Sequence, residues 1–127
     1  MILQPSYAVG DGRYANNGWL QEVPHPVTKV VWDNNAAISP KTADSLGVGI
    51  GDMLEVTVEN RKLKLPVMIQ PGMAEKTIAV ELGYGRKNSG IVANDVGFNA
   101  NKLMSMGGGL SDWIFTGAAV KATGGKY

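Results

Sequence analysis

The stretch 53-MLEVTVENRKLKLPVMIQ-70 decides the fold, because apolar and polar residues alternate in two successive runs within it. Residues 53–59 alternate strictly, which is the period of a half-buried strand, and 63–70 repeat the pattern after a polar turn. Two alternating runs joined by so short a turn predict a β-hairpin. Pro66 has no backbone N–H to donate, so we expect it at an edge or a bulge.

The residues before this hairpin predict a short helix. Ser39 is a good N-cap, Pro40 suits the first helical position, and Gly47 is a typical stop. The sequence therefore predicts a helix over 40–46.

Further short elements surround this centre. Strands are predicted at 28–32 and 77–82, with a last strand pair or bent strand at 113–123 and a helical turn at 99–104, whereas the first 27 residues read as an irregular arm. Five or six strands with one or two short helices, and no alternation of strand and helix, favour a mainly β fold that closes as a small barrel. A length of 127 residues fits a single domain, 1–127.

Composition excludes several classes of function. The 12 basic and 11 acidic residues are dispersed and leave a formal charge of +1, so nucleic acid is not expected as a partner. With no cysteine and one histidine, the segment offers no disulfide, thiolate or iron–sulfur ligand set, and no zinc site. The sequence has neither the pattern of a signal peptide nor an apolar run long enough to span a membrane, so we expect a soluble segment. We expect any redox chemistry to belong to a group that this segment binds.

The loop 82-LGYGRKNSGIVANDVGFNANKL-103 is the strongest candidate for a binding site. Its glycines at 83, 85 and 90 miss the G-x-G-x-x-G spacing of a dinucleotide fingerprint, and no Lys-Ser or Lys-Thr completes a phosphate-binding loop. Two interpretations stay open: backbone N–H groups that face an anion beside Arg86 and Lys87, or turn formation alone.

Asparagines recur in the predicted loops. A carboxamide both donates and accepts, which suits the edge of a guanine or pterin ring, but asparagine is also an ordinary turn residue. Trp19 is interpreted either as a core or interface anchor or as a ring-stacking platform. His25, between two prolines, is interpreted as exposed or as capping a turn. No nucleophile–base or carboxylate pair is apparent, so no catalytic residue and no metal ligand is expected in this segment.

A family resemblance rests on five quoted elements. These are 13-RYANNGWLQE-22, 32-WDNNAAISPKTADSLGVGIGD-52, 65-LPVMIQPG-72, 82-LGYGR-86 and 96-VGFNANKL-103. Together they resemble the C-terminal, dinucleotide-binding domain of molybdopterin oxidoreductases, and in particular the iron–sulfur/molybdopterin-like large subunit of bacterial alternative complex III. The resemblance implies a double-psi β-barrel of the aspartate-decarboxylase-like kind, and a domain excised from a much longer chain.

The resemblance also implies a ligand and its contacts. In these enzymes the domain closes over the cofactor, and its loops bind one of two molybdopterin guanine dinucleotides. Carried over element by element, the residues implied to face that ligand are Asn16, Asn17, Trp19, Asn34, Tyr84, Arg86 and Asn99.

Two functions follow from the resemblance. In the first, the domain belongs to a respiratory, quinol-linked electron-transfer subunit, is non-catalytic by itself, and has lost the bound cofactor. In the second, it still contacts its cofactor in an active molybdenum or tungsten enzyme of the polysulfide reductase or formate dehydrogenase kind. Either way the implied partners are the remaining domains of the parent subunit, which carry any iron–sulfur clusters, and other subunits of a membrane complex at the periplasmic face of the inner membrane.

Overall fold

The computed structural model describes residues 1–107, 110–111 and 113–127, with the backbone alone for 106–107 and 110–111. At its centre the predicted hairpin is confirmed: β3 (Asp52–Val58) and β4 (Arg61–Ile69) are antiparallel, with Leu54 opposite Leu65. Alternate residues of β3 point into the core, as the sequence period requires. Pro66 is the last residue paired with β3 and is followed at once by the pairing of β4 with β2, so the proline falls where the strand changes partner.

The helix predicted at 40–46 is confirmed as α2 (Pro40–Leu46). The Ser39 hydroxyl accepts a hydrogen bond from the Thr42 N–H at 3.2 Å, and Gly47 ends the helix in the left-handed conformation. The helical turn predicted at 99–104 is a 3₁₀ helix, Ala100–Leu103.

The prediction of a strand at 28–32 is wrong. Lys29 and Trp32 have φ angles of 62° and 59°, which no strand allows, and the strand of this region is β2 (Ala36–Ile38), four residues beyond Trp32. β2 lies between β4 and the strand β5 (Ile78–Glu81) and is buried, so it shows no alternation of apolar and polar residues. Hydrophobic, β-branched residues at 28–32 favour a strand, but they lack a neighbouring strand to pair with.

The first 27 residues are not wholly irregular. They contain β1 (Ile2–Gln4) and a single-turn helix, α1 (Gly18–Gln21), which the Asn17 side chain caps. The strand predicted at 77–82 is confirmed as β5 (Ile78–Glu81), and β1 pairs with it in parallel. Three-residue strands carry little sequence signal of their own, because their conformation is fixed by the strand beside them.

Within the described residues, six strands form one sheet in the order β1-β5-β2-β4-β3-β8, where β8 is Ala119–Lys126. A short separate ladder joins β6 (Met106–Gly107) and β7 (Leu110–Ser111). Two pairs in the large sheet are parallel, β1 with β5 and β2 with β4.

The segment 113–126 closes the sheet into a barrel. Near its start Ile114 bridges Ile2 of β1, and the Leu3 N–H donates to the Trp113 carbonyl at 2.7 Å. Its later part, β8, pairs with β3 at the other end of the sheet. The predicted bent strand interrupted at Gly117 is therefore this closing segment, which extends to Lys126, and the fold is a double-psi β-barrel.

The barrel interior is filled by aliphatic side chains from the strands of the large sheet, to which β8 adds only the partly buried Val120, and by two side chains of the 3₁₀ helix. Burial of this kind contributes roughly 1.5–3 kcal/mol for each large aliphatic side chain and is the main stabilising term. Among the described residues, no helix has the length and apolar character needed to cross a membrane. The fully buried large side chains of this core are Leu3, Ile38, Leu54, Leu65, Leu82, Leu103, Val56, Val67 and Val80.

Candidate functional site

Two loop segments, 10–17 and 83–99, meet at one end of the barrel. The Asn16 carboxamide oxygen accepts hydrogen bonds from the backbone N–H groups of Val92, at 3.1 Å, and Ala93, at 3.3 Å. Gly90 lies directly against the same carboxamide. We call residues 10–17, Asn34 and 83–99 the loop cluster, because side chains rather than strand pairing hold these segments together.

Arg86 joins the same two segments from the other side. Its Nη2 donates to the Asp11 carbonyl at 3.1 Å, and its guanidinium covers Gly12, where any Cβ would collide with it. Gly12 has a φ of 103°, so both its conformation and the close approach of the guanidinium require glycine. The Arg86 Nε is buried and has no hydrogen-bond partner within the described residues. A cation with an unused donor is thus fixed beside the 11–12 backbone.

Asn34 occupies the centre of the loop cluster. It is 1% exposed, its Nδ2 donates to the carbonyls of Glu81 (2.8 Å) and Phe98 (2.9 Å), and its Oδ1 accepts from the Phe98 N–H at 2.8 Å. A Cβ on Gly97, whose φ is 67°, would lie 2.9 Å from this oxygen. Both amide protons of Asn34 are therefore used within the chain.

Tyr84 is buried beside Asn34, separated from it by Gly97. Its side chain packs so closely that a Cβ on Gly97 would lie 2.9 Å from the Tyr84 Cβ. The Ser6 hydroxyl donates to the Tyr84 Oη over 3.4 Å, and burial raises the pKa of Tyr84. With 6% of its surface exposed, the tyrosine packs under the loop rather than presenting its ring.

Three further predicted residues lie at the surface of the cluster. Asn17 caps α1 by accepting from the Trp19 N–H at 3.1 Å, and Asn99 caps the 3₁₀ helix by accepting from the Asn101 N–H at 3.1 Å. Each cap uses the carboxamide oxygen and leaves the NH₂ group available. Trp19 is 85% exposed, so it is not a core anchor of this chain.

Six of the seven residues carried over from the resemblance lie within the loop cluster, and Trp19 lies beyond it in α1, two residues after Asn17. Close packing at Gly97 brings together Asn34 and Tyr84, and Gly85 packs against the backbone of Asn99. Hydrogen bonds of Asn16 and Arg86 join the segment 10–17 to the segment 83–99, and Asn17 and Trp19 follow Asn16 in the chain. Contact of the seven residues with a ligand stays a prediction.

Sequence reasoning missed Asp33 and Tyr127, which meet beside Asn34. The Tyr127 hydroxyl hydrogen-bonds the Asp33 carboxylate, and this bond raises the pKa of Tyr127 to about 12. Burial raises the pKa of Asp33, against its hydrogen bonds from Tyr127 and the Asn34 N–H. Aspartate after a predicted strand looks like a turn residue, and no local pattern points to a partner so far along the chain.

The described part of the chain offers polar and charged groups for binding at this end, but no nucleophile–base pair within it. Among the residues that the structure describes, no three histidine, aspartate or glutamate side chains group as a metal site. What this end offers is a fixed guanidinium, carboxamide NH₂ groups, backbone N–H groups and one exposed indole. These suit an anionic, heteroaromatic ligand.

The fold and this surface define a class: domains that hold a ligand in loops at one end of a double-psi barrel. Within that class, residues 10–111 match the family described as "Molydopterin dinucleotide binding domain", and the chain belongs to this family. It is a molybdopterin dinucleotide-binding domain of the molybdopterin oxidoreductases.

Two curated relatives are similar over part of the chain. A tetrathionate reductase subunit of Archaeoglobus fulgidus is 29% identical over 83 residues, which is 65% of this chain and 7% of the relative. The thiosulfate reductase molybdopterin-containing subunit PhsA of Salmonella typhimurium is 36% identical over 73 residues, 56% of this chain and 9% of the relative. The aligned residues are thus less than a tenth of either relative.

A solved structure shares the fold. Acetylene hydratase from Pelobacter acetylenicus superimposes with a TM-score of 0.58 at 21% identity, over 96% of this chain and 18% of that one. This likeness agrees with the barrel described above.

Proposed function

We propose that the loop cluster binds a molybdopterin guanine dinucleotide, as one domain of an active molybdenum or tungsten oxidoreductase. The observation that carries the proposal is Arg86, whose buried Nε has no partner within the described residues while its Nη2 is fixed on the Asp11 carbonyl. The rest of the guanidinium keeps N–H donors that nothing in the described residues uses, and an anion can take those that face solvent. A diphosphate is the group that guanidinium geometry suits best.

The residues present fit such a ligand. Arg86 would hold the diphosphate, the carboxamide NH₂ groups of Asn17 and Asn99 would face ring edges, and Trp19 offers an exposed ring for stacking. Asn34 and Tyr84 act from beneath, because their hydrogen bonds and packing fix the backbone of the 83–99 loop. When bound, the cofactor supplies the redox chemistry of its metal; this chain binds and orients it.

The wider setting is proposed from the relatives. Because the matched region is 7% and 9% of the two reductase subunits, we place the metal ligands, the iron–sulfur clusters and the substrate site in other domains of a longer parent. Those domains, and further subunits of a membrane complex at the periplasmic face, are the proposed partners. The names of the relatives favour a sulfur-compound reductase over other members of the family.

A second candidate function is a subunit of the alternative complex III kind, in which the cofactor is absent and the loops serve packing. The observation that favours it is the use of four of the predicted asparagines in bonds within the chain: Asn16 and Asn34 between segments, Asn17 and Asn99 as helix caps. Metal analysis of the purified parent subunit separates the two. Stoichiometric molybdenum or tungsten supports the first function, and its absence from a cluster-loaded preparation supports the second.

Binding by this chain is tested with guanosine diphosphate as the probe. We expect weak, millimolar binding, since one domain makes only part of the contacts while the ordering cost remains. Amide shifts in NMR spectra should concentrate at 11–17 and 85–87. Arg86→Lys should weaken binding severalfold because lysine keeps the charge but loses the planar fork. The matched control is Arg61→Lys, the same change in β4 outside the loop cluster, which should leave binding unchanged.

Shifts spread over the whole surface, or equal losses in the two variants, would contradict the assignment of Arg86. Submicromolar affinity would contradict the view that this domain supplies only part of the site.

A further inference from the structure

A half-buried imidazole–carboxylate pair lies next to the loop cluster but outside it. The His25 Nε2 is 2.9 Å from the Glu81 Oε1, and the two side chains are 20% and 17% exposed. Glu81 is the last residue of β5, three residues before Tyr84, and His25 lies in the loop between α1 and β2. The pair therefore connects an irregular surface loop to the strand that leads into the candidate site.

The histidine fixes the conformation of its own loop. Its Nδ1 accepts hydrogen bonds from the backbone N–H groups of Val27 and Thr28, both at 3.1 Å. A nitrogen that accepts two N–H bonds carries no proton, so the ring proton is on Nε2 and points to Glu81. The turn of 25–28 thus depends on a neutral imidazole, which confirms the expectation that His25 caps a turn.

The glutamate carries this connection into the loop cluster. The side chains of Gln4 and Ser6 also face its carboxyl and lower its pKa against the effect of burial, and the Ser6 hydroxyl donates to the Tyr84 Oη at 3.4 Å. The backbone carbonyl of Glu81 accepts from the Asn34 Nδ2 at 2.8 Å. Both the side chain and the backbone of Glu81 therefore contact residues that position the 83–99 loop.

Several charged or titratable groups face the histidine. Besides Glu81 these are Tyr7, whose ring lies edge-on at 6.4 Å, and Lys29, whose ammonium donates to the Pro26 carbonyl at 3.0 Å. Asp33 and Tyr84 share with His25 and Glu81 the lining of a small cavity of about 10 Å³. Glu81 is the group in direct contact with the ring, and burial raises the pKa of its carboxyl despite the opposing effect of His25.

We propose that the His25–Glu81 pair is a positioning contact for the candidate site: neutral His25 holds the 25–28 turn against Glu81, and Glu81 holds Ser6, Asn34 and Tyr84. A second proton on the imidazole occupies Nδ1 and removes the hydrogen bonds from the N–H groups of Val27 and Thr28. The contact with Glu81 then becomes one between a cation and a carboxylate. The turn loosens and Glu81 follows the ring, so Tyr84 changes its environment as His25 titrates. This makes the geometry of the loop cluster dependent on pH.

The test is a pH titration of the chain by NMR. One histidine in 127 residues gives a single set of imidazole signals, so its titration is read without assignment ambiguity. We expect the amide signals of Val27, Thr28 and Tyr84 to shift with the midpoint of the imidazole. A Tyr84 signal that stays constant while the imidazole titrates overturns the proposal, and this reading needs no variant.

Two variants separate positioning from a general structural role. His25→Asn keeps a side-chain acceptor for the turn but cannot titrate, so the Tyr84 signal should lose its shift in that pH range while the fold is kept. Glu81→Gln keeps an acceptor for Nε2 but removes the charge, so the Tyr84 shift that accompanies the imidazole titration should shrink. If the Tyr84 shift persists unchanged in His25→Asn, the proposal is wrong.

The consequence for ligand binding rests on the proposed function. With guanosine diphosphate as the probe, affinity should change across the imidazole titration in the native chain and stay level in His25→Asn. If the nucleotide binds at no pH, the proposed function fails, while the shared midpoint of His25 and Tyr84 still decides the positioning role. If it binds with an affinity that ignores the titration although Tyr84 moves, the pair does not position the site.

Discussion

The β3–β4 hairpin and the loop cluster are both well packed, but different forces hold them. The hairpin buries alternate aliphatic side chains, with Leu54, Val56 and Leu65 fully buried, and its pairing is between residues close in sequence. The loop cluster is held by carboxamides and a guanidinium that reach across long separations, such as Asn34 to Phe98 and Arg86 to Asp11. The hairpin tolerates substitution of the polar residues on its exposed face, because its stability comes from the apolar residues on the opposite face. The loop cluster depends on a few individual hydrogen-bonding atoms.

The largest effect is expected in the hairpin core. Leu54→Ala removes a fully buried side chain and should lower the free energy of unfolding by about 3 kcal/mol, since the barrel cannot collapse around the void. Urea unfolding followed by circular dichroism measures it. Lys64→Ala, on the exposed face of β4, is the control and should change stability by less than about 0.5 kcal/mol. Similar losses in the two variants would mean that the hairpin is not held by its buried face.

A slightly smaller loss is expected at the centre of the loop cluster. Asn34→Ala leaves the N–H and C=O of Phe98 and the Glu81 carbonyl without their partner, which should cost about 2–3 kcal/mol. Asn35→Ala is the matched control, because the Asn35 side chain makes no hydrogen bond within the described part of the chain. Unfolding in urea gives both values. If Asn34→Ala and Asn35→Ala lower the free energy of unfolding equally, the hydrogen bonds of the Asn34 carboxamide do not stabilise the loop cluster.

The next effect separates crowding from backbone strain. Gly97→Ala would place a Cβ 2.9 Å from the Asn34 Oδ1, whereas Gly72→Ala, at a φ of 88°, meets open space. Both substitutions strain a left-handed backbone, so their difference, about 1–2 kcal/mol, measures the steric part. Thermal unfolding compares them, and NMR shifts at Tyr84 and Asn34 should appear in the Gly97 variant alone. Equal melting temperatures for Gly97→Ala and Gly72→Ala would show that the loop cluster accommodates the added methyl group without loss of stability.

The smallest effect is on the pH dependence of stability. Burial raises the pKa of Glu81 above its ordinary value of 4.5, so the folded chain binds this proton more tightly than the unfolded chain. The resulting contribution is complete below pH 4.5 and is lost as the pH rises through the folded value. Urea unfolding at a series of pH values just above 4.5 should show this decline, and Glu81→Gln should reduce it. If the free energy of unfolding declines with pH just as steeply in Glu81→Gln, groups other than Glu81 cause the decline.

The same contrast decides what the sequence could predict. Helix α2 and the hairpin were predictable because a cap, a stop and a period of two are local signals. The strand expected at 28–32 failed because strand propensity acts only where a neighbour is available, and β2 pairs with β4 and β5 on either side instead. In the site, the asparagines were recognisable as loop residues, but the partners of Asn16 and Asn34 are 47 to 77 residues away, and no local pattern records such pairs. The sequence around Gly12 indicates only a turn. The close approach that also requires glycine there comes from the guanidinium of Arg86, which is distant in sequence.

The closing segment 113–126 has a consequence for synthesis. Ile114 pairs with Ile2, and β8 with β3, so the barrel cannot close until the segment 113–126 has left the ribosome. Until then β1 and β3 each present an unpaired edge, and an emerging chain with unpaired edges is open to misassociation. Contacts between the two ends of a chain also slow folding. The nascent domain should therefore rely on chaperones until its final strand is released.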